Sequence, residues 1–367
     1  MKLIPTLTEA FRIYNRARRF TGFKKYDGTP KQICKKIIKD CYNPLEHFFQ
    51  VSNGHFCEFY VRDFAFCCEA LVQLGYGKHV RNTIRYAFEK FTQYDRIATM
   101  ITPKGVPYDF PSYGPDSLAL FLYTITHTKS HAVAKKYKKF LQEQVQFFAD
   151  YVVDKKTLLP RKWKHFSSIR DQTKRKASCY DATMVALVAK ECETLGLDFP
   201  YSFSELRELL VTTYWNGSYF FNDLHKQAIV VGDANVFPFW TGVVTNETMR
   251  ERTFASIQAA GLDRGMPLRY VSALDKKREK TRFNISGWLV PDYETDAVWA
   301  HLGFCYIREL GKVDKNKQRA HLRAYEKKIQ RYRTFLEVYT NEGDPFRKRL
   351  YVTDEGMLWC CNWLALQ

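Results

Sequence analysis

The sequence predicts an all-α ring of six helical hairpins, an (α/α)6 toroid, built as a single domain from residues 1–367. Three observations predict it. Six helix-length apolar runs recur along the chain, each opening on an acid: Asp63, Asp116, Asp181, Asp233, Asp296 and Glu355, at intervals of 53, 65, 52, 63 and 59 residues. Between them lie charge-rich segments whose apolar residues occupy one helical face. The composition, 46% hydrophobic and 16% aromatic with no linker-like tract, is that of one folded unit. A helix that is apolar all round must be enclosed, and a helix with one apolar face can enclose it. Alternating with a period of about sixty residues, the two kinds close into a ring with the apolar helices inside.

Taken in order, residues 6–20 and Gln32 to Cys41 read as amphipathic helices, the first with Thr6 or Thr8 as its cap, so that residues 1–58 supply N-terminal outer helices. Phe59 to Gly75 is the first inner helix, with Arg62 and Asp63 at its start and Gly75 as its stop. The next inner helices begin at Pro115-Asp116 and at Cys179-Tyr180-Asp181. Gly232 to Trp240 follows, interrupted by Pro238, and then Asp296 to Phe304 and Glu355 to Leu364. The outer helices are Val80–Tyr94, Ala134–Val152, Ser202–Tyr214, Glu247–Ala260 and Lys315–Tyr339; in the first of these Val80, Ile84, Ala87, Phe88 and Phe91 define the buried face. Parallel inner helices gather the six leading acids at one end. Any single one of them reads most simply as a helix-start residue favoured by the dipole, whereas six together line a cup suited to a hydroxyl-rich ligand.

Ten cysteines mostly fall within apolar runs, the pattern of reduced, buried thiols, which points to a cytoplasmic chain. No apolar stretch reaches signal-peptide or membrane-spanning length. The excess of 57 Lys and Arg over 39 Asp and Glu, a net charge of +18, permits an anionic partner. Its basic clusters, Arg161-Lys162-Trp163-Lys164, Lys174-Arg175-Lys176, Lys276-Lys277-Arg278-Glu279-Lys280 and Arg347-Lys348-Arg349, fall in loops entering inner helices and place cations at the cup's rim. That predicts a sugar substrate bearing phosphate, sulfate or carboxylate, or a rim that meets nucleic acid.

From Tyr60 onward the chain resembles the six-hairpin (α/α)6-barrel glycosidases: trehalase, glucoamylase-like enzymes and the α-1,6-glucosidase domain of glycogen debranching enzyme. Arg62-Asp63 is similar to the pair that holds the terminal sugar's hydroxyls in that family. Asp233-Ala234-Asn235 with Phe237-Pro238, and Tyr293-Glu294-Thr295-Asp296-Ala297-Val298-Trp299, resemble further inner-helix starts. Leu336-Glu337-Val338-Tyr339 followed by Tyr351-Val352-Thr353-Asp354-Glu355-Gly356-Met357-Leu358-Trp359 resembles the trehalase base and the helix start after it. Val338 stands where the family has Lys, and Met357-Leu358 where it has an aromatic-Gly pair, so Glu342 and Glu355 are alternatives for the base.

The resemblance implies an inverting, exo-acting hydrolase of an α-linked glucoside that needs no cofactor. It has Glu337 as general base and, in the loop Ser167 to Gln172, Asp171 as general acid, with Asp181 as the alternative acid. It implies a sugar-binding cup containing Arg62, Asp63, Asp116, Tyr180, Asp181, Asp233, Asn235, Asp296, Trp299 and Glu355. Cations around Asp171 (Arg170, Lys174, Arg175, Lys176) oppose the protonated state a general acid needs unless burial outweighs them. No GxGxxG, Walker A, HExxH or GxSxG pattern points to other chemistry. His301, within an inner helix, reads as a core residue. The competing classes are a non-catalytic carbohydrate- or nucleic-acid-binding toroid and a lyase, epimerase or phosphorylase on the same fold.

Overall fold

A computed structural model describes residues 3–110, 112–171, 173–278 and 290–367, with side chains from Leu7 onward. Among the described residues the chain forms fourteen α-helices. They are α1 (Leu3–Arg18), α2 (Pro30–Asp40), α3 (Val61–Gln73), α4 (Gly77–Gln93), α5 (Pro115–His127), α6 (His131–Lys136) and α7 (Lys138–Val152), followed by α8 (Cys179–Leu195), α9 (Phe203–Tyr214), α10 (Gly232–Trp240), α11 (Glu247–Ala259), α12 (Ala300–Leu310), α13 (Lys315–Tyr332) and α14 (Cys360–Ala365). The strands are two-residue pairings that brace the loops.

Local chemistry starts these helices where hydroxyl or amide side chains can take the orphan N–H groups. Thr29 and Gln32 form a reciprocal capping box at α2, and Ser178, Ser202, Asn246 and Asp314 cap α8, α9, α11 and α13. Pro238 does not break α10. The Ala234 carbonyl, which a fourth-residue N–H would have taken, instead accepts the Cys179 thiol at 3.6 Å, so the missing donor is replaced from α8.

The inner ring runs α3, α5, α8, α10, α12 and α14, each packed on the next or closing back through α3, and the outer ring runs α2, α4, α6 with α7, α9, α11 and α13. Helices α5, α8 and α10 are buried along nearly their whole lengths, whereas α4 buries only its Val80, Thr83, Ile84, Tyr86, Ala87, Phe88 and Phe91 stripe. Close approach is enforced at Gly303, where an added Cβ would lie 2.5 Å from the Pro267 carbonyl oxygen. The result is the expected (α/α)6 toroid. All ten cysteines are free and nine are buried. No helix among the described residues is long and apolar enough to cross a membrane.

Two expectations about the ends are corrected. The outer helix predicted to run to Tyr339 stops at Tyr332, and Arg333 turns left-handed at φ 54. Thr334 to Tyr339 are buried without interruption, which no outer helix with one dry face can accommodate. The segment extends and pairs Val338–Tyr339 with Val298–Trp299. Asp296 and Glu355 likewise precede their helices instead of occupying the first turn, because β-pairing takes Val298–Trp299 and the Leu336 to Glu355 bridge out of helical geometry.

Candidate active site

Hydrogen bonds among first-turn residues show α3, α5 and α8 meeting at one end. Asp116 at the start of α5 accepts from Arg62 Nε of α3 at 2.7 Å and from the Tyr180 hydroxyl of α8 at 2.9 Å. At this end a cavity of about 500 Å³ opens, within the ordinary range for a small-ligand site. Arg62 and Asp63 stand in its wall with Trp299 and Trp359. Burial raises Asp63 to about 6, against the pull of Arg62 and of the nearby Trp359 indole. That indole N–H falls short of a full hydrogen-bond geometry.

Asp171 and Glu337 both line this cavity. Asp171 sits on the loop before α8, where its Oδ1 accepts from the Ser167 hydroxyl and its backbone N–H donates to Glu294 Oε1 at 2.8 Å. Burial raises it to about 6, and the opposing Arg62, Ser167 and Arg175 do not cancel that effect. Glu337, 2% exposed, lies on the extended segment after α13. It accepts from the Tyr293 hydroxyl at 2.8 Å, from the Tyr351 hydroxyl and from the Asp354 N–H at 3.0 Å. Burial lifts it to about 7 despite these donors. The two tyrosine oxygens also lie 2.9 Å apart.

Of the alternatives for these roles, Asp181 is buried beneath the Ser168 and Ser178 hydroxyls, Glu342 is exposed, and Glu355 is bound by Arg16. None of the three lines the cavity.

The remaining expected cup residues divide. Arg62, Asp63 and Trp299 reach the cavity. Asp116 and Tyr180 sit behind Arg62 as its support. Asp233 is fully buried between Arg175, at 2.7 Å, and Arg170. Asn235 closes the Phe220 N–H, the Phe220 carbonyl and the Val231 carbonyl. Asp296 meets Lys276 at 3.4 Å. The rim cations are engaged in part: Arg175 on Asp233, and Lys276 and Lys348 on Asp292. Glu279 and Lys280 of the third basic cluster, and Gln172, lie outside the described residues. His301 packs among Phe66, Trp299 and Trp359 and is lowered to about 3 by burial, a neutral core histidine.

Sequence reasoning did not single out Glu9, Tyr60, Tyr293, Glu294 or Tyr351, all of which line the cavity. Glu9 sits on an ordinary amphipathic helix, so no local pattern marks it. Tyr293 and Tyr351 stood inside the quoted motifs, and their spacing around Glu337 was the signal available. Glu9 accepts from Tyr60 and is raised by burial to about 7.

The raised carboxyls carry a stability signature. The folded state holds protons that the unfolded chain releases, so their contribution is complete below the unfolded values and is lost as pH rises through the folded ones. For Glu337, raised from 4.5 to about 7, the loss amounts to about 3 kcal/mol. The unfolding free energy of wild type minus that of Glu337→Gln is therefore expected to fall between pH 4.5 and 7.5 in urea titrations. A flat difference contradicts the burial argument.

At the level of sequence, no family model and no curated protein matches the chain. Solved structures do match in fold. A rhamnosidase from Klebsiella oxytoca with rhamnose bound superposes with a TM-score of 0.65 at 12% identity, over 92% of this chain and 62% of its own, so the chain spans less than two thirds of that enzyme. The GH63 mannosylglycerate hydrolase from Thermus thermophilus, in complex with Tris and D-glycerate, gives 0.59 at 11% identity over 92% and 99% of the two chains. A wild-type glycosidase gives 0.60 at 12% identity over 98% and 96%. The chain thus has the six-hairpin (α/α)6 fold of these glycosidase structures.

Proposed function

We propose that the chain is a glycoside hydrolase that removes a terminal α-linked glucosyl unit in one step with inversion, Asp171 acting as general acid and Glu337 as general base. The observation that carries this reading is the convergence of two carboxyls, far apart in sequence and both raised by burial, on one cavity walled by Arg62, Asp63 and tryptophans. In the reaction the anomeric C–O bond breaks as Asp171 protonates the departing oxygen. Glu337 removes a proton from the water that forms the new C–O bond. Arg62, held by Asp116, and Asp63 present a fixed donor and acceptor to the sugar's hydroxyls. Five carboxyls and one guanidinium line the described wall, a balance that favours a neutral glycoside over the anionic one suggested by net charge.

The test is hydrolysis of an aryl α-glucoside followed by proton NMR from the first minutes. Release of β-glucose is expected. Release of α-glucose would refute inversion, and an absence of hydrolysis across aryl glycosides would refute the hydrolase reading.

A further inference from the structure

Glu9 stands in the cavity wall although it comes from α1, well before Arg62 and Asp63 and outside the stretch that resembles the glycosidases. The residue is 6% exposed. Its Oε1 accepts from the Tyr60 hydroxyl, and Arg12, near enough to pull on its charge, donates to Glu58 instead. Its Oε2 has no hydrogen-bond partner among the described residues. As a carboxylate this oxygen lacks a donor; as an acid its proton lacks an acceptor. Buried polar groups are as a rule paired, and one left open costs free energy until a bound molecule completes it.

The missing partner has a place to come from. Glu9 and Asp171 feel each other's charge, so the two border the same space, and both line the cavity with Arg62 and Asp63. The torsion at the end of a glutamate is broad, so either oxygen can turn to the cavity while the other keeps Tyr60. Helix α1 is itself seated, by Arg12 on Glu58, by Arg16 on Glu355 and by packing on the Tyr351–Val352 strand, so the carboxyl is carried on a fixed element. A sugar hydroxyl both donates and accepts, and it satisfies the open oxygen in either protonation state.

We propose that Glu9 is a substrate-binding residue whose carboxyl bonds one hydroxyl of the glucosyl ring, so that α1 completes the sugar site. The glucosyl ring rests on the reading above; the open carboxyl in the cavity wall does not.

The experiment is a binding cycle by calorimetry on the full chain, with D-glucose and its 2-, 3-, 4- and 6-deoxy forms, against wild type and Glu9→Ala. Glu9→Ala is expected to raise the Kd of glucose at least about fivefold. One deoxy sugar is expected to bind wild type more weakly than glucose by a similar factor, yet to bind Glu9→Ala as glucose does, because the bond it lacks is already gone. Deoxy sugars that lose the same factors in both proteins overturn the inference. Glu9→Gln keeps a carbonyl for Tyr60 and with it the seat of α1, and it is expected to show a smaller coupling at the same hydroxyl; coupling at a different hydroxyl overturns the inference. Arg16→Gln, which frees the other end of α1 from Glu355, is expected to show none. Equal coupling there would mean that the seating of α1, and not the Glu9 carboxyl, carries the effect. Glucose that fails to bind wild type overturns the inference together with the glucosyl reading. Coupling without glycoside hydrolysis supports Glu9 and refutes the hydrolase, whereas hydrolysis without coupling does the reverse.

Discussion

Glu337→Gln and Asp171→Asn are each expected to lower kcat on an aryl α-glucoside by roughly 10²- to 10⁴-fold, the span general acid–base catalysis supplies. Both substitutions keep the size and most hydrogen-bonding capacity of the side chain. A thermal midpoint within a few degrees of wild type at neutral pH would therefore separate lost chemistry from lost folding. The wild-type profile of kcat/KM against pH is expected to be a narrow bell with its limbs near 6 and 7, because activity requires Asp171 protonated and Glu337 ionised. Glu337 being the weaker acid, only the smaller part of the singly protonated site is in that form and the maximum is low. The macroscopic limbs belong to the pair, so removing either carboxyl is expected to abolish the bell instead of moving one limb. Full activity in either variant removes that residue from the chemistry.

The second large effect is expected at Asp233, whose carboxylate is buried with Arg175 at 2.7 Å and with Arg170 beyond it. Arg170 also lies over the Tyr270 ring at 5.0 Å and donates to the Glu294 carbonyl. Asp233→Ala leaves these buried guanidinium groups without their shared counter-ion, a change that typically costs about 3–5 kcal/mol. Denaturant unfolding checks this, and a loss below about 1 kcal/mol would show that the arginines find other partners. Because Glu294 also takes the Asp171 N–H, the same substitution is expected to reduce kcat beyond the fraction of protein unfolded. Asp233 was expected to touch sugar on the strength of its place at a helix start. Its burial gives it a different part: it pairs with Arg175 and Arg170, and Arg170 reaches the Glu294 carbonyl behind the Asp171 loop.

Much of the fold was legible because burial leaves a periodic trace. A helix covered on all sides, such as Leu118 to Ile125, admits no charge, and one covered on one face, such as α4, repeats its apolar residues every three or four positions. That Asp171 and Glu337 line the cavity was legible from the place of Asp171 in the loop before the third inner helix and from the motif around Glu337. Their environment was not: the cations flanking Asp171 in sequence suggested a depressed pKa, while in space Arg175 turns to Asp233 and burial dominates. Glu337, read as lying near the end of a basic helix, proved to be an enclosed carboxyl on an extended segment, because Thr334 to Tyr339 are buried on every side. The six leading acids, alike in sequence, separated into one cavity residue, Asp63, and five that bind other protein groups.

The sequence by itself determined the ring, since the count and alternation of dry and half-dry helices are one-dimensional properties that leave few ways to bury the apolar surface. Only the tertiary structure decided which polar residues face the cavity, which serve as internal counter-ions, and that α1 contributes to the cavity wall. Those outcomes depend on contacts between residues as far apart as Arg16 and Glu355 or Asp171 and Glu294. Desolvation, which sets the charge states there, is a property of the assembled wall and of no segment in it.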